Sequence, residues 1–274
     1  MEMPESKRAF DLDAWLRSVE PPNTPIPTPL ATGRGASLFA PHRRFDPQCP
    51  ELMDGPGIDR ESLREELRTL EYFNRQGGGH WLMRRYVKRF VAWHPSASLN
   101  ILDLGTGAAD IPRALVAWAR QSRRTINITA VDRNPENLQF ARELGRDWPE
   151  IRFEQHDLRA LPYAKESFDL VLCSLTLHHF TSADAIIILR QMHQLTRGGY
   201  LVNDLRRNWL SLWTTQLLVR ALSRSPVFRN DALQSCRAAF TVRELRTLAE
   251  RAGLSNFQIE THQILCRMVL IGSK

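Results

Sequence analysis

Residues 100–110 read NILDLGTGAAD, and this stretch decides the fold. Its apolar start predicts a buried strand, and Gly105 and Gly107 then allow a tight turn into a helix. Asp110 stands at the sixth position from Gly105, which puts a negative charge where a dinucleotide fold holds its diphosphate. Together with Asp103, just before the turn, this charge favours a cationic ligand.

Beyond this turn, strand and helix patterns alternate, which implies a parallel sheet covered by helices on both faces. The predicted strands are 99–104, 126–131, 151–155, 168–173 and 200–203, and the predicted helices are 111–121, 135–145 and 183–195, the last stopping at Gly198-Gly199. A further helix at 241–252 precedes two strands, 256–261 and 264–271, whose short connection permits only an antiparallel pair. The sequence therefore predicts an α/β fold whose sheet is mostly parallel and ends in an antiparallel hairpin.

The N-terminal part differs in composition, because ten of the sixteen prolines fall in the first 56 residues. Repeated proline removes backbone N–H donors, so we expect residues 1–56 to form an extended arm with a short helix at 11–19. Helices at 59–73 and 80–93 should follow, within a helical lid at 57–98. The expected core contacts of the second helix are Trp81, Tyr86 and Phe90.

Residues 205–240 interrupt the remaining domain, residues 99–274, as an insertion. A helix is predicted at 208–222, with apolar side chains at helical spacing: Trp209, Leu210, Trp213, Leu217 and Leu218. These side chains either pack against the sheet or, with the helices of 59–93, roof an apolar substrate pocket. In both cases an aromatic-rich lid suits a ring-shaped or lipophilic ligand better than an RNA backbone.

Composition narrows the class of protein. Apolar residues make up 43% and charged residues 24%, which excludes global disorder. No charge-free run approaches the roughly 18–20 residues that span a bilayer, and the charged N-terminus lacks the apolar core of a signal peptide. The four cysteines form no C-x-x-C pair, which argues against a zinc ribbon or a disulfide framework. We therefore expect a cytoplasmic protein.

The net charge of +7, from 37 basic and 30 acidic residues, favours contact with phosphates, nucleic acid or an anionic membrane face. The arginine doublets are isolated, however, and no run of five or six basic residues occurs. Nucleic acid therefore stays an open alternative as a partner.

Further acids follow the next strands at matching positions. Asp132 ends the second strand, where an acid grips a ribose diol in nucleoside-binding sheets. Asp157-Leu158 follows the third strand, where a side chain and a backbone amide can pair with an adenine amino group. Since the carboxyl ends of parallel strands meet at one edge, Asp103, Asp132 and Asp157 should converge on one ligand.

In these motifs the chain resembles the class I S-adenosylmethionine-dependent methyltransferases, over about residues 72–274. Asp103-x-Gly105-x-Gly107 is similar to their first motif, with Ala109 in place of the third glycine, and Asp132 is similar to their ribose acid. The resemblance implies a Rossmann-like seven-stranded sheet whose last strand is antiparallel, with S-adenosylmethionine as the cofactor. The cofactor contacts that it implies are Asp103, Gly105, Thr106, Gly107, Asp110, Asp132, Arg133, Asp157, Leu158 and Ser174.

Within that family the chain is similar to the branch that methylates quinols and phenolic rings, typified by the ubiquinone and menaquinone methyltransferases. Residues 74–81, NRQGGGHW, resemble their lid segment, and residues 105–111, GTGAADI, resemble their form of the first motif. This resemblance implies a small aromatic acceptor that is methylated at oxygen or carbon.

Candidate catalytic residues follow the fourth strand, in residues 174–180, SLTLHHF. A histidine titrates near pH 6.5 and can accept a phenol proton, so one of His178 and His179 should reach the pocket as a base. Alternatively, both only cap the turn and shape the pocket. Asp204, after the fifth strand, could orient a histidine or bind a substrate hydroxyl. The carboxylates of an oxygen-rich magnesium site are not evident, so we expect no metal.

Two other activities remain open at this point. An RNA methyltransferase fits the net charge, but no N-P-P-Y or D-P-P-Y motif follows the fourth strand. A nicotinamide-dependent reductase shares the sheet, but Asp110 opposes a diphosphate.

Overall fold

The computed structural model describes residues 40–48, 51–55, 57–93, 98–223 and 225–274, so the helix predicted at 11–19 lies outside the described residues. Their strands form one seven-stranded sheet: β1 (Ser98–Leu104), β2 (Thr125–Asp132), β3 (Ile151–Gln155), β4 (Phe168–Ser174), β5 (Thr196–Leu205), β6 (Phe257–His262) and β7 (Arg267–Ser273). The strand order is β3-β2-β1-β4-β5-β7-β6. Strands β1 to β5 pair in parallel, and β7 runs antiparallel to both β5 and β6. The predicted sheet and its antiparallel hairpin are confirmed.

The described residues also form the α-helices α1 (Arg60–Gln76), α2 (Gly79–Trp93), α3 (Asp110–Gln121), α4 (Pro135–Leu144), α5 (Ser182–Leu195), α6 (Trp209–Leu222), α7 (Pro226–Ala238) and α8 (Val242–Arg251). Capping side chains explain where several of them begin. The Asp59 carboxylate accepts from the backbone N–H groups of Glu61 and Ser62 at the start of α1. Thr241 and Glu244 form a reciprocal capping box at the start of α8.

The hydrophobic core lies on both faces of the sheet, and β1 and β4 are buried along most of their length. Helix α2 contributes Tyr86 and Phe90 to one face, as predicted. The predicted core contact of Trp81 is wrong, because this side chain is 47% exposed. It lies beside the Arg85 guanidinium on the outer side of α2 instead.

The fifth strand begins at Thr196, before the predicted start at residue 200. Helix α5 ends at Leu195, so Gly198-Gly199 belongs to the strand and does not stop the helix. A Cβ at Gly199 would stand 3.0 Å from the Gly272 carbonyl oxygen and 3.1 Å from the Phe90 ring. Glycine at this position therefore allows α2 to pack closely on the sheet, a tertiary requirement that a local pattern does not reveal.

The insertion folds as two helices, α6 and α7, of which the sequence predicted only α6. The expectation that α6 packs its apolar side chains against the sheet is wrong, because Trp213 and Leu217 are each 71% exposed. The buried side chains of this helix are those of Ser211 and Val219. Hydrophobic periodicity locates an apolar stripe on a helix, but it does not say which way the stripe faces.

We expect Thr241→Ala to lower the free energy of unfolding by about 1 kcal/mol, because it removes the hydroxyl that accepts from the Glu244 N–H. Urea denaturation measures the change. Thr247→Ala is the matched control, since Thr247 is exposed within the same helix and alanine is the better helix former. Equal losses in the two variants would contradict a capping role.

Candidate active site

The turn after β1 has a backbone that favours glycine. Gly105 and Gly107 have φ angles of 71° and 53°, and a Cβ at Gly105 would stand 2.3 Å from the Thr176 side chain. Ala109, at the position of the third glycine of the resembled motif, is also left-handed, with a φ of 57°, and it is the N-cap of α3. The chain accepts backbone strain here to bring the glycine loop, residues 105–109, close to the sheet edge.

Asp132 joins the glycine loop to the end of β2. Its Oδ2 accepts from the Gly107 N–H at 2.9 Å, and its Oδ1 accepts from the Asn134 N–H at 2.9 Å. The N–H groups of Gly105 and Thr106 both donate to the carbonyl of Val131, the preceding residue of β2. The loop is therefore fixed against the second strand by its backbone.

A cavity of about 60 Å³ opens between the glycine loop and α1, and Asp103, Asp110 and Ser174 are among its lining residues. Asp103 is buried in β1. Burial, together with the charges of Asp110 and Asp132, raises the pKa of Asp103 to about 7. The cavity is acidic, and it therefore suits a cation.

Asp110 fastens the lid helices to the glycine loop. Its Oδ2 lies 2.7 Å from Asn74 Nδ2 of α1 and 2.7 Å from His80 Nε2 of α2. The Asn74 side-chain oxygen in turn accepts from Arg267 of β7 at 3.1 Å. Burial alone would raise the pKa of Asp110, but the hydrogen bond and charge of His80 and the hydrogen bond of Asn74 lower it. The Asp110 carboxylate therefore binds side chains of α1 and α2 and also lines the cavity.

The remaining predicted cofactor residues lie further along the sheet edge. The Asp157 carboxylate forms an ion pair at 2.6 Å with the guanidinium of Arg159, two residues further along the chain. Leu158 is buried, and its carbonyl accepts from Gln191 at 2.8 Å. Arg133 is exposed and lines, with Arg159, a second cleft of about 240 Å³. Of the three predicted acids, Asp103 and Asp132 therefore lie beside the glycine loop, whereas Asp157 forms an ion pair with Arg159.

His178 and Asp204 form a buried pair at the ends of β4 and β5. His178 Nδ1 lies 2.6 Å from Asp204 Oδ1, and the His178 backbone N–H donates to Asp204 Oδ2 at 3.0 Å. Because a carboxylate only accepts, Nδ1 carries the proton and Nε2 is left as an acceptor. Ser174 and Asn203 pair across the two strands, in register and through their side chains at 2.9 Å, which sets the ends of the strands side by side.

The electrostatics of this pair stabilise a charged histidine. Burial alone would lower the pKa of His178, but the charge and hydrogen bond of Asp204, with the charge of Glu51, raise it on balance. Burial would likewise raise the pKa of Asp204, but His178 and the Leu205 N–H lower it. His178 can therefore hold a proton taken up at Nε2.

Glu51 is a residue of this site that sequence reasoning missed. Its Oε1 lies 3.9 Å from His178 Nε2 and 3.9 Å from His179 Nδ1, and it accepts from Ser235 Oγ of α7. Asp231 of α7 holds the following turn by accepting from two of its backbone N–H groups, each at 2.9 Å. Glu51 comes from the proline-rich segment, which has no periodicity, so no local signal marked it.

Glu51, His178 and His179 place potential ligand atoms within 4.8 Å of one another. Separations of 3.9 Å are wider than the roughly 3.4 Å that separates the ligand atoms of a tetrahedral zinc site. The His179 side chain is 28% exposed, whereas that of His178 is 3% exposed. The three groups therefore form a compact cluster, with His178 buried in the ion pair and His179 partly exposed.

Arg43 is a second residue that sequence reasoning missed. Its guanidinium donates to the carbonyls of His178 at 3.2 Å, Phe180 at 2.9 Å and Ala238 at 2.6 Å, and it lies 3.9 Å from the centre of the Phe240 ring. Burial lowers the pKa of Arg43 to about 10. The end of the proline-rich segment thus packs against α7 and against the turn Leu177–His179, here called the histidine turn, and becomes part of the site.

Comparison with known proteins identifies the domain. Residues 101–199 match the family model of a methyltransferase domain. A demethylmenaquinone methyltransferase of Deinococcus radiodurans is 38% identical over 105 residues, which are 38% of this chain and 41% of the relative. The match therefore spans about two fifths of that relative's length. The chain contains a methyltransferase domain.

Solved structures agree in fold. Human N-acetylserotonin methyltransferase, solved with S-adenosylmethionine, has a TM-score of 0.57 and 17% identity, covering 79% of this chain and 56% of that one. A S-adenosylmethionine-dependent methyltransferase of Aquifex aeolicus has a TM-score of 0.55 and 13% identity, covering 79% of this chain and 98% of that one. The Rossmann-like methyltransferase fold implied by the motifs is confirmed. Across the described residues, no helix combines the length and apolar composition needed to cross a membrane.

We expect the pKa of His178 to lie above the usual histidine range and to fall in Asp204→Asn, because the carboxylate charge is removed. Histidine NMR titration measures both values. A raised histidine pKa stabilises the fold below its unfolded value and loses that effect as the pH rises through the folded value. A lowered Asp204 pKa loses its contribution as the pH falls.

The loss of stability in Asp204→Asn should therefore be largest between about pH 4 and 6.5. Asp147→Asn, at an exposed position after α4, is the control, and it should cost little at any pH. A cost of Asp204→Asn that does not vary with pH would contradict the ion pair.

Proposed function

We propose that this methyltransferase domain moves a methyl group from S-adenosylmethionine to a small phenolic or quinol acceptor, at oxygen or at a ring carbon. The observation that carries the proposal is the buried His178–Asp204 pair, in which an imidazole nitrogen is left as proton acceptor. His178 lines the cleft of about 240 Å³, two residues beyond Thr176, whose hydroxyl donates to the Gly105 carbonyl of the glycine loop at 3.3 Å. Strand β4, which leads into the histidine turn, lies directly beside β1, which leads into the loop. The similar Deinococcus protein acts, by its name, on demethylmenaquinone, which supports a quinol-like acceptor.

The residues of the glycine loop fit a sulfonium cofactor. Asp103 and Asp110 make the cavity acidic, which favours a cation over a diphosphate. We assign the ribose hydroxyls to Asp132, with Gly105, Thr106 and Gly107 supplying close backbone approach, and the adenine end to Asp157-Leu158. When bound, S-adenosylmethionine supplies an electrophilic methyl group on sulfur.

In this reaction, the protein positions the acceptor and takes up its proton. His178 Nε2 would accept the hydroxyl proton of a phenol while the oxygen, or the activated ring carbon beside it, bonds to the methyl group, whose bond to sulfur breaks to leave a neutral thioether. Asp204 holds the ring by the 2.6 Å hydrogen bond to Nδ1 and stabilises the imidazolium that forms. When a ring carbon is methylated, it releases its own proton to solvent to restore the aromatic ring, and His178 returns its proton to the ring oxygen.

Each turnover leaves a proton on a histidine that is 2% exposed, so this proton needs a path to solvent. Glu51 Oε1 stands 3.9 Å from both the buried His178 and the partly exposed His179. We assign Glu51 and His179 to that path.

RNA methylation is the second candidate, because the chain carries a net charge of +7. The exit of β4 reads SLTLHHF, which lacks the motif that amide-nitrogen methyltransferases use there. Incubation with labelled S-adenosylmethionine and a panel of phenols, quinols and RNA, followed by mass spectrometry, separates the candidates. Methylated RNA without a methylated phenol or quinol would overturn the proposed acceptor.

Asp132→Ala should weaken the binding of S-adenosylmethionine by at least about tenfold, since two charge-assisted hydrogen bonds of roughly 1.5–3 kcal/mol each are lost. Calorimetry measures the dissociation constant. Asp147→Ala, at an exposed position after α4, is the matched control and should bind normally. Binding of NAD, and not of S-adenosylmethionine, to the unmutated chain would overturn the cofactor assignment.

Replacement of His178 by alanine should lower turnover by about 10²–10⁴ and leave cofactor affinity unchanged, because the imidazole serves the acceptor. The unmutated rate should rise with pH through the pKa of His178, and the variant should lose that inflection. Glu51→Gln should shift the inflection to lower pH, since the charge of Glu51 helps to raise that pKa.

Glu250→Gln, on the exposed side of α8, is the control for Glu51→Gln and should keep the unmutated profile. His179→Ala should cost less than His178→Ala, because the ring of His178 is the one that Asp204 Oδ1 holds at 2.6 Å. Near-full activity of His178→Ala at neutral pH would mean that placement alone drives the reaction and that the histidines only shape the pocket.

A further inference from the structure

Helix α6 has its hydrophobic pattern reversed. Its outer side carries large apolar side chains that are each about half exposed or more, namely Trp209, Leu210, Trp213, Leu217, Leu218 and Leu222. Its inner side is largely polar: Ser211 is buried together with Val219, and Thr214 and Thr215 contact the sulfur atoms of Cys266 and Cys236 at 2.8 and 3.2 Å. A surface helix normally turns its apolar side inward, so this one is built to meet an apolar surface outside the described chain.

The basic surplus of the chain lies in the same region. Residues 79–93 and 205–230 contain nine arginines and lysines and no aspartate or glutamate. Since the net charge is +7, all other residues together carry +7 minus +9, which is −2. One of these arginines, Arg207, is buried and paired with Glu244 at 2.6 Å, but Arg220 and Lys88 are exposed.

The turn between β6 and β7 connects the two basic segments in space. Cys266 of this turn contacts Thr214 of α6, and Leu265 packs against the residue that precedes α2, where a Cβ on Gly78 would stand 3.0 Å from it. The turn also carries Ile264, which is 96% exposed, and Trp81 on the first turn of α2 is 47% exposed. We call the outer side of α6, Ile264, Trp81 and the exposed basic residues Lys88 and Arg220 the apolar-basic face.

We propose that the apolar-basic face binds the surface of a bilayer that contains anionic lipid. Tryptophan and leucine side chains of an interfacial helix enter the boundary between headgroups and acyl chains, and nearby arginines and lysines bind the lipid phosphates. A second copy of the chain is a poorer occupant, because a two-fold contact would set the basic residues of this face against their own copies. The inference does not depend on the acceptor proposed above.

Flotation of the full chain with vesicles tests this proposal. The unmutated protein should float with phosphatidylcholine vesicles that contain about a quarter phosphatidylglycerol, bind pure phosphatidylcholine more weakly, and lose binding as salt is added. Leu217→Glu should lower the bound fraction by at least about tenfold, since it puts a carboxylate among apolar contacts and lipid phosphates.

Ile187→Glu is the matched control, because Ile187 of α5 is also an exposed aliphatic side chain on a helix, outside the apolar-basic face. It should bind vesicles as the unmutated chain does. Circular dichroism should show both variants folded, since each position is exposed, and Leu217→Gln provides a second, uncharged variant with a smaller loss.

Four outcomes would overturn the proposal. The unmutated chain could fail to float with either vesicle, or Leu217→Glu could float undiminished. Sedimentation could show a dimer that Leu217→Glu dissociates, without vesicle binding, which would assign the face to a second copy. Salt-sensitive RNA binding without vesicle binding would assign the basic residues to nucleic acid.

Discussion

The burial of carboxylates at the carboxyl ends of parallel strands is the constraint on which this molecule depends. An ionised carboxyl loses several kcal/mol of hydration when it is buried, so each one needs a partner. Asp132 uses two backbone N–H groups, and Asp204 uses His178 and backbone amides. For Asp103, burial outweighs the compensation, and the pKa rises to about 7. The carboxyl groups of the site therefore differ in pKa, because each one is compensated for its burial in a different way.

Asp110 extends the same constraint beyond the sheet edge. Its partners Asn74 and His80 belong to the two lid helices, and Asn74 also binds Arg267 in the antiparallel strand. The glycine loop, the lid and the C-terminal hairpin are therefore one hydrogen-bonded unit, although they come from distant parts of the sequence. A ligand that competes for the Asp110 carboxylate would loosen α1 and α2 as well as the glycine loop.

The sheet could be predicted from the sequence because buried parallel strands read as short apolar runs, and because the short link before β7 permits only an antiparallel pair. The positions of Asp103 and Asp132 could be predicted because each is one of the last two residues of a buried strand. Glu51 and Arg43 could not, since they lie in a segment without periodicity and reach the site through contacts more than a hundred residues away along the chain. The outward face of α6 was missed for another reason: a helical stripe has no direction until the tertiary structure sets it.

The raised pKa of Asp103 has a thermodynamic consequence for any charged ligand in the cavity. A cation beside this carboxyl favours its ionised form, so binding releases a proton near neutral pH, and affinity for the cation rises with pH. Loss of the ligand's positive charge, as when a sulfonium becomes a thioether, reverses this linkage. The carboxyl then recovers its proton and no longer attracts what remains. The affinity for a cationic ligand at this position would thus depend on pH near neutrality.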